Sequence, residues 1–128
     1  MEALNLKSNN SLVEYLKPFG FLDYNKLQKH AYCVASDRGT ITEEACLLEV
    51  PAITIRNAHE RPEGMDVCTI IMSGTNPEDV ISAVNIAVNT KRAPMIPDYA
   101  VTNASEHVVK LIQSDQHYVD PFVWRKMI

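Results

Sequence analysis

The residues best suited to chemistry lie in one short run, Ser36-Asp-Arg-Gly-Thr-Ile-Thr-Glu-Glu44. Before it stands an apolar stretch, Tyr32-Cys-Val-Ala35, of the kind that forms a buried strand. After its turn comes a helical pattern from Ile41 to Leu48, with Gly39 in the turn between. A strand that feeds a helix through a small-residue turn aims backbone N–H groups at one point. The dipole of the helix N-terminus adds positive potential there, so the point suits a phosphate. Thr40-x-x-Glu43 reads as a capping box that sets the start of the helix. A second charged cluster, Arg56-Asn-Ala-His-Glu-Arg-Pro-Glu-Gly64, places Arg56, His59, Glu60, Arg61 and Glu63 in one loop. Histidine titrates near neutrality, but no partner residue accompanies His59, and the pattern reads as a charged surface loop rather than an acid/base pair.

These residues need a scaffold, and the chain supplies an alternating one. Leu12-Val-Glu-Tyr-Leu16 reads as a short strand, ended by Pro18-Phe-Gly20. Asp23 is placed as the N-cap of a helix from Tyr24 to about His30, with Leu27 and Ala31 inward. The second strand covers 32–35. Pro51 opens a third, Ala52 to Ile55, and a fourth is expected from Val67 to Met72. Gly74-Thr-Asn-Pro77 turns the chain and puts proline at the first helical position. Val80, Ile81, Val84, Ala87 and Val88 then form one apolar helix face. This alternation predicts an α/β fold, a parallel sheet flanked by helices. Ligands on such sheets bind beyond the carboxyl ends of the strands, and the segments 36–40 and 56–64 both follow strands.

From Lys91 the character changes. Lys-Arg-Ala-Pro-Met-Ile-Pro-Asp98 reads as a linker, and Asn103-x-x-Glu106 as the cap of a helix carrying Val108, Val109, Leu111 and Ile112. The end carries Tyr118, Phe122 and Trp124. Residues 1–90 are therefore expected to form a partial domain. Residues 91–128 are expected to be a linker and helical tail that packs on a neighbouring domain or a second copy of the chain.

Composition bounds the function. Hydrophobic residues make up 46% and charged residues 22% of the 128, which suits one modest globular domain. The formal charge of −4 argues against nucleic-acid binding by bulk charge. No apolar run approaches the roughly 20 residues of a membrane helix. The N-terminus lacks the apolar core of a signal peptide. Cys33, Cys46 and Cys68 are odd in number and widely spaced, and read as buried thiols in a reducing cytoplasm. No fourth ligand stands at zinc spacing, so no metal is expected.

Several motifs then fall into one order: Pro18-Phe-Gly-Phe-Leu-Asp-Tyr24, Ser36 to Glu44, Val50-Pro51, Arg56 with Glu60-Arg-Pro-Glu63, and Gly74-Thr75 before a helix. In this order and spacing, from about Leu16 to Thr90, the chain resembles the non-hydrolysing UDP-N-acetylglucosamine 2-epimerase family. The Gly-Thr form of the turn and the ending near Val-Trp-Arg-Lys126 resemble the branch acting on modified amino sugars, UDP-N-acetyl-L-fucosamine-type and diacetamido-sugar epimerases of surface polysaccharide synthesis. The resemblance implies the C-terminal half of a GT-B arrangement, in which two Rossmann-like domains face a cleft. It also implies inversion at C2 of a UDP-amino sugar through elimination and re-addition of UDP, with no separate cofactor. The family's acid/base carboxylates and its histidine motif precede the matching region. The resemblance therefore places the UDP subsite in this chain and no catalytic residue, and implies inactivity without an N-terminal domain.

By alignment the aromatic residue near the uridine falls on Tyr24. The diphosphate-contacting turn falls on Arg38, Gly39 and Thr40, the ribose-binding glutamate on Glu44, and the nucleotide-site arginine on Arg61. Each has a plainer reading: Tyr24 as helix-start packing, Glu44 as a solvated helix residue, Arg61 as a surface partner of Glu60 or Glu63. Thr40 stands where the common turn has a second glycine, and Arg38 where it has serine. Arg38 either pairs with the diphosphate or fills its space. The rival reading is a non-catalytic protein or helper subunit that keeps the fold and oligomerises through the tail.

Overall fold

A computed structural model describes residues 7–58 and 61–125. His59 and Glu60, the lead-in residues 1–6 and the last three residues of the tail lie outside the described residues. In chain order the elements are α1 (Phe21–Lys29), β1 (Val34–Ser36), α2 (Ile41–Leu48), β2 (Ala52–Thr54), α3 (Pro62–Asp66), β3 (Ile71–Met72), α4 (Pro77–Asn89), a 3-10 turn (Pro97–Tyr99) and α5 (Ala104–Phe122). The strands form a parallel sheet in the order β1-β2-β3, with Val34 opposite Ala52 and Ile53 opposite Ile71. The α/β arrangement read from the sequence is the one observed.

The strands are short, and their limits follow from pairing. Val34 donates to the carbonyl of Pro51 (2.9 Å), which starts the β1–β2 ladder. Ile55 donates to Ser36 (2.9 Å) and Ser73 to Thr54 (3.0 Å), which closes both ladders at the carboxyl edge. The first strand therefore starts at Val34 rather than Tyr32, whose ring is exposed. Ile41, Ala45, Val50, Ala52 and Ile70 form the core between α2 and the sheet, with Val34, Leu48 and Met65 packed on it. Strand alternation sends the fully buried Ile53 to the other face. α4 packs against β2 and β3 and buries Ala83, while Ile81, expected inward, faces solvent. Asn76 caps α4 by accepting from the Glu78 amide (3.0 Å), with Pro77 next as expected.

Several sequence expectations are corrected. Leu12 to Leu16 is irregular and exposed, and among the described residues no strand pairs with it. α1 starts earlier, after Gly20. Asp23 sits inside its first turn, where a carboxylate complements the dipole, and makes no cap. The inward residue of α1 is Gln28, whereas Leu27 is half exposed. The segment 67–70 is a turn: Cys68 donates to Met65 (2.9 Å) and Thr69 to Gly64 (2.8 Å). Cys68 is exposed with φ of 59°, not buried, while Cys46 is buried and Cys33 partly so, its thiol pushed up by burial. Part of the 56–64 loop is the short helix α3, with Pro62 in its first turn. Its Gly64 is dictated by space, because a Cβ there would lie 2.1 Å from Thr42 Cγ2.

The segment after α4 folds back rather than hanging free. Ile96 is buried, its amide donates to Cys46 Sγ (3.5 Å), and Tyr99 Oη donates to Glu63 Oε1 (2.6 Å). α5 then runs 19 residues and through Pro121. Asn103 precedes it, but its side chain donates to Glu106 Oε2 (3.1 Å) rather than capping a backbone amide. Its apolar residues Val108, Val109, Leu111 and Ile112 are exposed, as are Phe122 and Trp124, and Tyr118 stacks on Phe122 at 5.2 Å.

Candidate functional site

The β1–α2 turn and the β2–α3 segment meet at the carboxyl edge of the sheet, as the parallel topology requires. Arg38 begins the turn with its amide on Ser36 Oγ (3.1 Å). Ile41 reaches back to the Arg38 carbonyl at 3.4 Å, a long bond that leaves the first turn of α2 loosely closed. Among the described residues no hydrogen bond engages the amides of Gly39 and Thr40. The capping box does not form. Thr40 has helical dihedrals (φ −76°, ψ −5°) and no side-chain cap bond, and its hydroxyl goes to Glu44 instead. Glu43 is engaged by Arg61 instead, whose Nε donates to Glu43 Oε1.

That ion pair is what brings the two segments together. With Nε engaged by Glu43, the far end of the Arg61 guanidinium lies against Gly39. A Cβ built on Gly39 would sit 3.5 Å from Arg61 Nη1 and 3.8 Å from Arg56 Nη1. A cleft at this corner is lined by Arg38, Gly39, Thr42, Thr54, Arg56 and Arg61, among others. Three guanidinium-bearing residues thus border one backbone turn at a helix N-terminus, an arrangement that favours an anion with several oxygens. Behind Arg61, Tyr99 and Glu63 complete a charged network. Burial raises the Tyr99 phenol, and the Glu63 hydrogen bond and the Glu43 charge raise it further, against a lowering by Arg61.

Beside the turn stands the second part of the site. Glu44 Oε1 accepts from Thr40 Oγ1 at 2.8 Å. Glu44 Oε2 accepts from Gln28 Nε2 at 2.6 Å and, weakly, from Tyr24 Oη at 3.4 Å. The Arg38 guanidinium lies over the Tyr24 ring at 5.7 Å, a cation–π distance. A carboxylate held in this way offers its remaining lone pairs to hydroxyl donors.

The structure therefore brings Tyr24, Arg38, Gly39, Thr40, Glu44 and Arg61 to one corner. Two contacts, Tyr24 with Arg38 and Tyr24 with Glu44, link the aromatic residue to the turn. Arg61 takes Glu43 as an ion partner, which the sequence reading did not anticipate. Arg56 and Gln28 also belong to the corner and were not singled out as ligand contacts. Arg56 was legible as a charge following a strand. Gln28 carried only one signal, a polar residue one helical turn after Tyr24. His59 lies outside the described residues, and His30, His107 and His117 are exposed and do not line the cleft. Among the described residues no group of His, Cys, Asp and Glu is arranged to hold a metal ion.

Comparison with known proteins gives the family. The UDP-N-acetylglucosamine 2-epimerase family model matches residues 2–113. The chain belongs to that family. It is 38% identical over 107 residues to the UDP-N-acetylglucosamine 2-epimerase of Methanocaldococcus jannaschii, covering 84% of this chain and 29% of that protein. It is 37% identical over 89 residues to the enzyme of that name from Methanococcus maripaludis, covering 70% of this chain and 24% of that protein. Among solved structures, the 2-epimerase of Rickettsia bellii superposes with a TM-score of 0.75 at 44% identity, covering 88% of this chain and 32% of that one. The M. jannaschii enzyme in complex with UDP-GlcNAc and UDP superposes with a TM-score of 0.74 at 36% identity, covering 83% and 29%. The chain thus spans less than a third of the length of these relatives. The observed sheet and helices are the Rossmann-like arrangement expected for the C-terminal half of a GT-B fold. No described helix is long and apolar enough to cross a membrane.

Proposed function

We propose that this chain is the UDP-binding part of a 2-epimerase-like enzyme that inverts C2 of a UDP-amino sugar for surface polysaccharide synthesis in the cytoplasm. One observation carries the reading: the arginine-lined turn at Gly39 and the Glu44 carboxylate share one edge of the sheet. The first suits a diphosphate, and the second suits the hydroxyls of a ribose. Arg38, Gly39, Thr40 and Arg61 serve the diphosphate, Glu44 the ribose and Tyr24 the uridine side. Arg38, lying over Tyr24, pairs with the diphosphate rather than filling its space. No catalytic carboxylate is assigned, and the chain alone is inactive. The modified-amino-sugar branch rests on the resemblance of the Gly39-Thr40 turn, in which the Thr40 hydroxyl donates to Glu44.

Calorimetric titration with UDP tests this reading. Glu44→Ala is expected to weaken binding at least tenfold, about 1.4 kcal/mol or more. No heat at millimolar UDP would refute the assignment, and turnover of a UDP-sugar by the isolated chain would refute its inactivity. The exposed apolar face of α5 favours a second reading, a non-catalytic chain or helper subunit that associates through that helix. A chain that sediments as an oligomer and binds no UDP would establish it.

A further inference from the structure

Gln28 is an unusual residue to bury. It is 4% exposed, yet only half of its amide is satisfied. Nε2 donates to Glu44 Oε2 at 2.6 Å, while Oε1 is buried and meets no hydrogen-bond donor among the described residues. Rotating the amide does not relieve this. It would set Oε1 against the carboxylate oxygen, two acceptors facing one another, so the carboxylate decides which way the amide points. A buried acceptor without a donor destabilises a fold, and a methionine or leucine of similar volume would pack there without that penalty. The position is thus poorly suited to stability and well suited to holding Glu44.

The geometry of the carboxylate says what the holding achieves. Glu44 lies near the start of α2, where a long side chain at the rim has many rotamers. Thr40, the residue just before α2, restrains Oε1. Gln28 restrains Oε2 from a different helix, so the two bonds fix the plane of the carboxylate across the α1–α2 contact. Each oxygen then keeps one lone-pair direction for a ligand. On Oε2 that direction is occupied by the Tyr24 hydroxyl at 3.4 Å, long enough to yield to a stronger donor.

We propose that Gln28 is a positioning residue: it acts through Glu44, aiming the carboxylate so that one lone pair on Oε1, and the one on Oε2 that Tyr24 yields, meet a vicinal diol of the ligand. This deepens the UDP reading above and rests on it. Gln28 itself touches no ligand atom. Its effect is confined to ligands that present the diol.

The experiment compares the 128-residue chain with Gln28→Met, which keeps the volume and removes both polar atoms, using UDP and 2′,3′-dideoxyuridine diphosphate as paired probes in calorimetry. Q28M is expected to weaken UDP about tenfold and to change the affinity for the dideoxy probe less than twofold. In a Glu44→Ala background Q28M should add nothing further, since the group it acts through is gone. Thermal stability should hold or rise. Equal weakening of both probes, or UDP bound by Q28M as tightly as by the parent, overturns the proposal while leaving the UDP assignment intact. Absence of UDP binding by the parent overturns both. Gln28→Leu is the second variant if methionine does not pack, and failure of both to fold would make the role structural and overturn the proposal.

Discussion

Replacing Gly39 by alanine separates binding from folding in this corner. The backbone permits the change, because Gly39 is not among the residues in the left-handed region. The space permits it too: the new Cβ would lie 3.5 Å from Arg61 Nη1 and 3.8 Å from Arg56 Nη1, ordinary van der Waals distances. Without a ligand, alanine should therefore be tolerated, and by restricting the unfolded chain it should stabilise by about 0.4–1 kcal/mol. With a ligand the account reverses. A phosphate oxygen bonded to a guanidinium sits roughly 2.7–2.9 Å from the nitrogen, in the same wedge between Gly39 and the arginines that the methyl would fill. Losing one charge-assisted bond there costs about 1.5–3 kcal/mol. At 1.4 kcal/mol per tenfold, affinity for UDP should fall about 10- to 150-fold.

Two measurements on one protein check this. Urea unfolding of Gly39→Ala should show an unchanged or higher midpoint with the slope unaltered, and calorimetry at fixed ionic strength should show the loss of UDP affinity. The opposite signs matter, because a variant that simply unfolds would lose both. Undiminished UDP binding by a folded Gly39→Ala would refute the placement of a phosphate at this turn, whatever the other residues do.

Two further outcomes follow from features away from the ligand. Glu49 ends α2 in the left-handed conformation (φ 55°, ψ 45°), a position that favours glycine, and its ion pair with Arg92 is two-thirds exposed on both sides. Exposed pairs of that kind contribute about 0–1 kcal/mol, while relief of left-handed strain contributes about 1–2 kcal/mol, so Glu49→Gly should raise the urea midpoint despite losing the bridge. Tyr99 holds its proton above the usual tyrosine range of 10.0 through burial, the Glu63 hydrogen bond and the Glu43 charge. The unfolded chain therefore loses that proton first, so the Tyr99 contribution to stability is complete below pH 10 and declines as pH rises beyond it. Tyr99→Phe should lose less stability between pH 9 and pH 11 than the parent, read from urea midpoints at the two values.

The parts of the fold that were legible are those decided by local chemistry. Pro77 after Asn76 starts α4, and the Ile41–Leu48 helix stands where its apolar spacing puts it. The parts that were not legible are decided by pairing partners far along the chain. Leu12 to Leu16 has the composition of a strand but finds no strand partner among the described residues, and its backbone is irregular. The 67–72 run keeps only Ile71–Met72 as strand, because β2 offers Ile53 and Thr54 as partners there. Thr40-x-x-Glu43 has the letters of a capping box, yet both side chains are taken by stronger partners, Thr40 by Glu44 and Glu43 by Arg61. A charged donor outbids a backbone amide for a carboxylate, and only the coordinates reveal that Arg61, 18 residues away, is within reach.

The same competition explains how this corner is built. In a parallel sheet the turns that follow β1 and β2 must emerge on one edge, so topology alone delivers Arg38, Gly39, Arg56 and Arg61 to a common neighbourhood. Topology does not orient them. Three guanidinium groups left beside one another would repel and spread into solvent. Glu43, placed on the first turn of α2, prevents this by holding Arg61 through Nε, which leaves the rest of that guanidinium directed at Gly39. Tyr24 holds Arg38 by its ring in the same sense. In the proposed reading the acidic residues at the head of α2 divide the work: Glu43 orients a cation for the anionic part of a ligand, and Glu44, itself held by Gln28 and Thr40, is left to accept from the neutral part.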